Sequence, residues 1–422
     1  MALDRRDFLA RGGLTLAAAA VLGPEALAAD RESEARAPLG WRSVRAQFRL
    51  RRDRVHLGAA LLASHPAPVR RALERHRRGL DADPVSYLHR VWLPNEAAVL
   101  RAAAHYTGGR AADLALTDST SMGLALLFNG LHVRADQELL TSTHDFFVTH
   151  EALALKAERT GASVRKVRLY DQSSAASAAA IVKRITAAVT KRTRVVALTW
   201  VHSSTGVKLP IRQIADALGP LNRGRSEADR ILLCVDGVHG FGIENVRLPA
   251  LGCDFFVAGC HKWLFGPRGT GIVWGRPSAW QHVTHTIPSF TDTGTPGSTM
   301  TPGGFHSFEH RWALAEAFRF HERIGTARIA ARTHALNRRF KEGIAAMRHV
   351  TPRTPRSASL SAGLVCFEVR RVPPQQVVDH LFERGIVATV APYTPSYARV
   401  APSILNTPGE IETTLRALRA LA

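Results

Sequence analysis

Between residues 113 and 275, short apolar runs recur with amphipathic stretches between them. Asp113–Thr117, Glu138–Ser142, Arg194–Val201, Ile231–Asp236, Cys253–Ala258 and Thr270–Trp274 are short and rich in aliphatic residues, which predicts buried strands. Met122–Gly130, Ala178–Thr190 and Ile211–Leu218 carry helical spacing, and two more helical stretches, Pro68–Gly79 and Asn95–Thr107, come before them. Strands that alternate with helices predict an α/β fold with an open, mostly parallel central sheet. Thr284–Gly304 is rich in Pro, Gly, Ser and Thr and reads as a long loop. Beyond it come a long helix at Glu309–Ile324, a strand at Gly363–Val369 and a helix at Gln375–Arg384. A chain of 422 residues exceeds the usual size of one domain. The expected division is a large α/β domain over 30–300, including a charged N-terminal segment, and a smaller α+β domain over 301–422. No internal repeat is visible.

Residues 1–29 break this pattern. Arg5 and Arg6 precede Phe8 and Leu9, an alanine-rich apolar run covers Leu14–Leu22, and Ala26-Leu27-Ala28 is a small-x-small cleavage pattern. A basic head, a short apolar run and such a site make a secretory signal, and the paired arginines resemble a twin-arginine signal. Export by the twin-arginine machinery, which carries folded proteins, places the mature protein in the periplasm. Composition alters the picture little. The hydrophobic fraction of 45% suits a globular chain, and the net charge of +21 comes mostly from scattered arginines. No basic stripe alternates with aromatics, so nucleic-acid binding is not expected. The cysteines Cys234, Cys253, Cys260 and Cys366 lie in or at the ends of apolar runs without a C-x-x-C pair, so no metal site is expected.

Chemistry that joins a protein amine to a carbonyl compound needs a lysine in a shielded pocket. Lys156, Lys166, Lys183, Lys191 and Lys341 lie in helical or charged stretches, and Lys208 in a loop before Pro210. Only Lys262 follows an apolar strand and precedes a glycine-rich turn, Gly266-Pro267-Arg268-Gly269-Thr270-Gly271. Alone, such a lysine reads as one reaching solvent. Two further elements change that. The strand Ile231–Asp236 ends in a carboxylate, and in sheets of this class ligands sit beyond the carboxyl ends of strands. A carboxylate against a pyridine nitrogen keeps it protonated, so the ring can draw electrons from a substrate Cα. His239, three residues on, is placed to hydrogen-bond the ring's phenolic oxygen. The turn Asp118-Ser119-Thr120-Ser121-Met122-Gly123 joins a strand to a helix, where free N–H groups and hydroxyls hold phosphate.

Together these strings resemble the class V aminotransferase family of pyridoxal-5′-phosphate (PLP) enzymes, from about Leu57 to the C-terminus. The most specific stretch is Asp236…His239 followed by His261-Lys262-Trp263-Leu264-x-Gly266-Pro267-x-Gly269-Thr270-Gly271. Val201-His202-Ser203-Ser204-Thr205-Gly206 and Gly303-Gly304-Phe305-His306-Ser307-Phe308 resemble the isopenicillin N epimerase-like branch. The resemblance implies PLP fold type I, a homodimer, and PLP as cofactor. It implies that Lys262 is the Schiff-base lysine, Asp236 the ring-nitrogen carboxylate and His239 the contact to the phenolic oxygen. It implies that His261, Thr120 and Ser121 bind the phosphate. In Thr143-His144-Asp145-Phe146-Phe147, Phe146 is expected to stack on the ring, with His144 as the alternative. Ser203 or His202 stands where relatives place a polar ring contact. Arg399, in Tyr397-Ala398-Arg399-Val400, matches the arginine that grips the substrate carboxylate. Cysteine desulfurases of the family carry a nucleophilic cysteine before that arginine, and Gly385–Ala398 has none.

The expected substrate is an amino acid or an amine-bearing peptide. Amino transfer, epimerisation, elimination and oxidation all use this ring and lysine, so these residues do not separate them. Export suggests tailoring of a periplasmic metabolite such as a siderophore peptide. The rival expectation is a non-catalytic binding protein on a retained PLP fold.

Overall fold

The structure is a computed structural model that describes residues 39–422. The expected signal at 1–29, with Arg5 and Arg6, lies outside the described residues. Seven strands build the central sheet: β2 (Leu114–Thr117), β3 (Glu138–Ser142), β4 (Ser163–Val167), β5 (Thr193–Thr199), β6 (Leu232–Asp236), β7 (Phe255–Gly259) and β8 (Gly271–Gly275). β1 (Val55–His56) precedes them and lies elsewhere. The spatial order is β2-β8-β7-β6-β5-β3-β4. Only β8 runs antiparallel to its neighbours. The sheet is mostly parallel and the chain is an α/β protein, as its pattern of apolar runs predicts.

Alternation along the strands explains the layers. Leu140, Val196, Leu198, Leu233, Val235, Phe256 and Ala258 point into one apolar cluster. Their chain neighbours Leu139, Val195, Ala197, Leu232, Cys234, Phe255 and Val257 point into another. Period-two alternation therefore feeds two cores, and each fully buried aliphatic or aromatic side chain contributes about 1.5–3 kcal/mol. β4, Ser-Val-Arg-Lys-Val, is the exception: it is only half-buried and holds a sheet edge, where Arg165 and Lys166 reach water. That polarity hid it from the apolar pattern.

The helix expected from Asn95 runs instead over Pro84–Thr107 and passes through Pro94. Pro84 fills the first helical position, where a missing N–H is harmless, and the Asp83 side chain caps the Ser86 N–H at 3.3 Å. The helix Phe308–Ile324 follows the Pro/Gly-rich stretch and packs on Ala67–Ala82 and Pro84–Thr107. It sends Leu314, Ala317 and Phe318 into a core of the central sheet. The later residues form β9 (Val350–Pro352), β10 (Val365–Val369), β11 (Ile386–Val387), β12 (Thr389–Val390) and β13 (Ala398–Val400). Four of these make an antiparallel sheet in the order β12-β13-β10-β9. The helices Thr326–Ala345, Pro374–Glu383 and Pro408–Arg419 pack on it around Phe340, Phe367, Leu381 and Leu415.

The first described residues are stitched to the last. β1 pairs in parallel with β11. Leu57 carbonyl accepts from Ala401 N–H at 2.8 Å, and His56 carbonyl from Asn406 Nδ2 at 3.0 Å. Arg45 pairs with Glu410.

Candidate active site

β2, β3, β5, β6 and β7 end at one edge of the sheet, on Thr117, Ser142, Thr199, Asp236 and Gly259. This edge gathers most of the polar residues singled out from the sequence. Asp236 is buried, and its Oδ1 accepts the Val238 N–H at 3.1 Å. Burial pushes its carboxyl up to about 6, against the pull of that N–H and of Lys262. Lys262 sits in the turn after β7. Burial brings its amine down to about 8, Asp236 opposes this, and the Arg399 charge adds to it. Lys262 has no carboxylate within ion-pairing distance among the described residues; its neighbour is His239 Nε2, 3.4 Å from Nζ. Trp263 Nε1 donates to His239 Nδ1 at 3.4 Å, which leaves the proton of the neutral imidazole on Nε2. Burial holds His239 neutral, well below the usual histidine range. Immediately beyond, buried Phe265 adopts φ +59°, a left-handed conformation unusual for an aromatic residue.

The second group lies at the start of the helix Thr120–Gly130. Ser119 caps it by accepting the Met122 N–H at 3.1 Å, so Thr120 and Ser121 occupy the first turn, where N–H groups have no intrahelical acceptor. Thr120 Oγ1 accepts the Gly259 N–H at 2.8 Å. A Cβ on Gly259 would lie 3.0 Å from Thr120 Oγ1 and 3.1 Å from His261 Cε1. Thr120 and His261 thus both press against Gly259, a position too crowded for a side chain. Ser121 is exposed beside Thr120.

The third group joins the two sheets. Arg399 on β13 is buried; its Nε donates to Thr389 Oγ1 at 3.0 Å and its Nη1 to the Ser203 carbonyl at 3.1 Å. Ser203 Oγ is 2.6 Å from the Tyr393 hydroxyl. His202 is fully buried; its Nδ1 faces the Tyr170 hydroxyl at 2.8 Å and its Nε2 lies 3.5 Å from Asp145 Oδ1. Asp145 also accepts from Thr141 Oγ1 and from the N–H groups of Ser142 and Thr199, at 2.7–2.8 Å. Burial alone would raise its carboxyl; His202 and these donors hold it well below the usual range.

The two candidates for the stacking ring part company. Phe146 packs on Phe147 and Tyr393, with centroids at 4.5 and 5.8 Å. His144 stacks on Tyr170 at 3.8 Å and belongs to the Asp145–His202 network. A cleft of about 550 Å³ opens beside this group, lined by Thr143, Asp145, Phe147 and His150 on one side and by Val390–Thr394 and Ser396 on the other.

Sequence reasoning missed Asp145, Tyr170 and Tyr393. Asp145 lies in a string where three aromatic or imidazole rings are the more conspicuous residues, and Tyr393 in a segment distinguished by its lack of cysteine. A tyrosine in the Pro-rich Ala391–Tyr397 segment was the available signal.

The family model described as Aminotransferase class-V matches residues 101–403. Isopenicillin N epimerase of Streptomyces clavuligerus is 28% identical over 411 residues, covering 90% of this chain and 98% of that protein. A probable cysteine desulfurase of Pseudomonas aeruginosa is 29% identical over 239 residues, 54% of this chain and 55% of that protein. Among solved structures, a cystine C–S lyase bound to cysteine persulfide superposes with a TM-score of 0.79 at 19% identity, covering 87% of this chain and 98% of that one. The apo cysteine desulfurase of Thermococcus onnurineus NA1 gives 0.77 at 20%, covering 90% and 97%. These two structures share the fold, which is that of PLP fold type I enzymes. With its model matched over well beyond half its length, the chain belongs to the aminotransferase class-V family.

Proposed function

We propose that the protein is a PLP-dependent enzyme that binds the amine of an amino acid or peptide and moves the proton on its Cα. The observation that carries this reading is Lys262: a buried amine near pKa 8, without an ion-pair partner among the described residues, beside His239 and within the field of Asp236. The donor set fits the cofactor. Asp236, raised to about 6, gains from a cationic ring nitrogen that holds it ionised. The first turn of the helix Thr120–Gly130, with the Thr120 and Ser121 hydroxyls on it and His261 beside Thr120 at Gly259, suits a phosphate.

Bound there, PLP supplies a ring that accepts electron density from the substrate Cα. Lys262 Nζ would hold it covalently, Asp236 would keep its ring nitrogen protonated, and His239 Nε2–H would donate to its phenolic oxygen. Thr120, Ser121 and His261 hold the phosphate, Phe146 or His144 covers a ring face, and Ser203 or His202 adds a polar contact. Arg399 retains Nη2 protons beyond those it gives to Thr389 and Ser203, and these would be free to take a substrate carboxylate. As a free amine, Lys262 Nζ would be the base that takes and returns the Cα proton; an amine near pKa 8 suits that work close to neutral pH. All four cysteines are buried and none lies on Gly385–Ala398, which favours proton movement over sulfur chemistry.

The test is borohydride reduction of the PLP-loaded protein followed by peptide mapping. The pyridoxyl mass is expected on Lys262; a label on another lysine, or none, overturns the assignment. Turnover of an amine separates an enzyme from a protein that only binds. We further infer, from Arg5, Arg6 and the apolar run after them, that the protein is exported to the periplasm by the twin-arginine machinery and tailors a metabolite or siderophore peptide there. Changing both arginines to lysine is expected to strand folded protein in the cytoplasm; undiminished periplasmic recovery would refute it.

A further inference from the structure

Two side chains of the smaller sheet region reach the same residue of the larger one. Arg399 Nη1 donates to the Ser203 carbonyl at 3.1 Å, and the Tyr393 hydroxyl lies 2.6 Å from Ser203 Oγ. Tyr393 belongs to the segment between β12 and β13, which walls the 550 Å³ cleft opposite Asp145 and Phe147. Its phenol interacts electrostatically with Asp236, Arg399 and Asp145 at once, so it stands among the groups that converge on the strand ends.

The chemistry of these partners is unequal. Arg399 has Nε and one Nη1 proton committed to Thr389 and Ser203, which leaves three N–H groups for a carboxylate whose oxygens, with about four lone-pair sites between them, can still take a further donor. A carboxylate taken out of water needs donors on both oxygens. The other buried phenol near the site, Tyr170, is already held between His202 and Thr205 at 2.8 and 2.9 Å. Tyr393 has only the Ser203 hydroxyl as partner among the described residues, and that hydroxyl can accept or donate.

We propose that Tyr393 is a substrate-recognition residue that donates its phenolic proton to the α-carboxylate held by Arg399, with Ser203 Oγ as its resting partner. This rests on the reading of the site as one for an amine beside bound PLP. Burial, against the opposing Ser203 hydrogen bond, lifts the phenol above its ordinary pKa, so it keeps the proton it must donate. Anchored to one residue, Arg399 and Tyr393 form a two-point clamp that selects amines carrying a free carboxylate. The same segment presents a phenol and no thiol, so it can recognise the substrate without attacking it.

The experiment is spectral titration of PLP-loaded wild type and Tyr393→Phe with two probes, L-alanine and ethylamine. A hydrogen bond to a charged group predicts about tenfold weaker binding of L-alanine by Tyr393→Phe. Ethylamine, which has no carboxylate, is expected to bind both proteins alike. Equal affinity of the two proteins for L-alanine overturns the proposal, as does an equal loss for both probes, which would mark a packing role. If neither probe perturbs the wild-type cofactor spectrum, the reading of the site falls, and the proposal falls with it. That outcome is distinct from a wild-type response that Tyr393→Phe fully retains.

Discussion

Asp236 carries a conflict at the scale of one residue. Its carboxyl titrates near 6 in the fold against an ordinary 3.8, so the folded protein holds this proton more tightly than the unfolded chain does. Below pH 3.8 both states are protonated and the fold bears no penalty. The penalty grows as pH rises from 3.8 to 6 and is complete above 6, at about 3 kcal/mol. Asp236→Asn keeps an oxygen for the Val238 N–H and never ionises. The cofactor-free variant is therefore expected to melt above wild type at pH 8, with the difference gone near pH 4 in differential scanning calorimetry. Identical melting at both pH values would refute the account. PLP addition should reverse the order at pH 8, because only the carboxylate pairs with a cationic ring nitrogen. Lys262 and Asp236 stand out in the sequence because Asp236 closes an apolar strand and Lys262 lies between an apolar strand and a glycine-rich turn. Tyr393 does not, because its value comes from a hydrogen bond to Ser203, which is remote in sequence.

Elements were legible where burial is two-sided. β2, β3, β5, β6, β7 and β8 are buried at every position and stood out as apolar runs. The helices Phe147–Thr160, Thr326–Ala345 and Pro408–Arg419 escaped notice because each is rich in charged or polar residues and buries only a narrow stripe. β9, β11 and β12 are two or three residues long, too short to carry a period. The turn after β6 has a packing rule that its sequence does not advertise. Gly237 follows Asp236, and a Cβ there would lie 1.9 Å from the ring of fully buried Phe256. Phe256 sits between Trp200 and Phe241 and has no room to withdraw. Gly237→Ala is expected to destabilise by about 1–3 kcal/mol or more and to displace Asp236. Chemical denaturation and PLP titration of this variant check both effects, and wild-type values for each would contradict the account.

At the scale of the whole molecule, described residues include no helix long and apolar enough to cross a membrane. One surface feature points to self-association. Phe305 is 76% exposed on the segment before the helix Phe308–Ile324, and Phe290 is 41% exposed beside it, with ring centroids 6.5 Å apart. We propose a homodimer in which the Gly303–Arg311 segment reaches the neighbouring subunit's phosphate site. Light scattering should give twice the 46.0 kDa chain mass, and Phe305→Glu should lower it. A monomer with full cofactor occupancy would exclude this arrangement. The stitching of first residues to last has a consequence in time. His56 and Asn406 bond across a separation of 350 residues, and Arg45 and Glu410 across 365. A ribosome therefore releases the segment around Arg45 and His56 long before Asn406 and Glu410 exist, and it waits unpaired until they are made. A chain truncated before Asn406 would leave the segment around Arg45 and His56 loose for a protease to find.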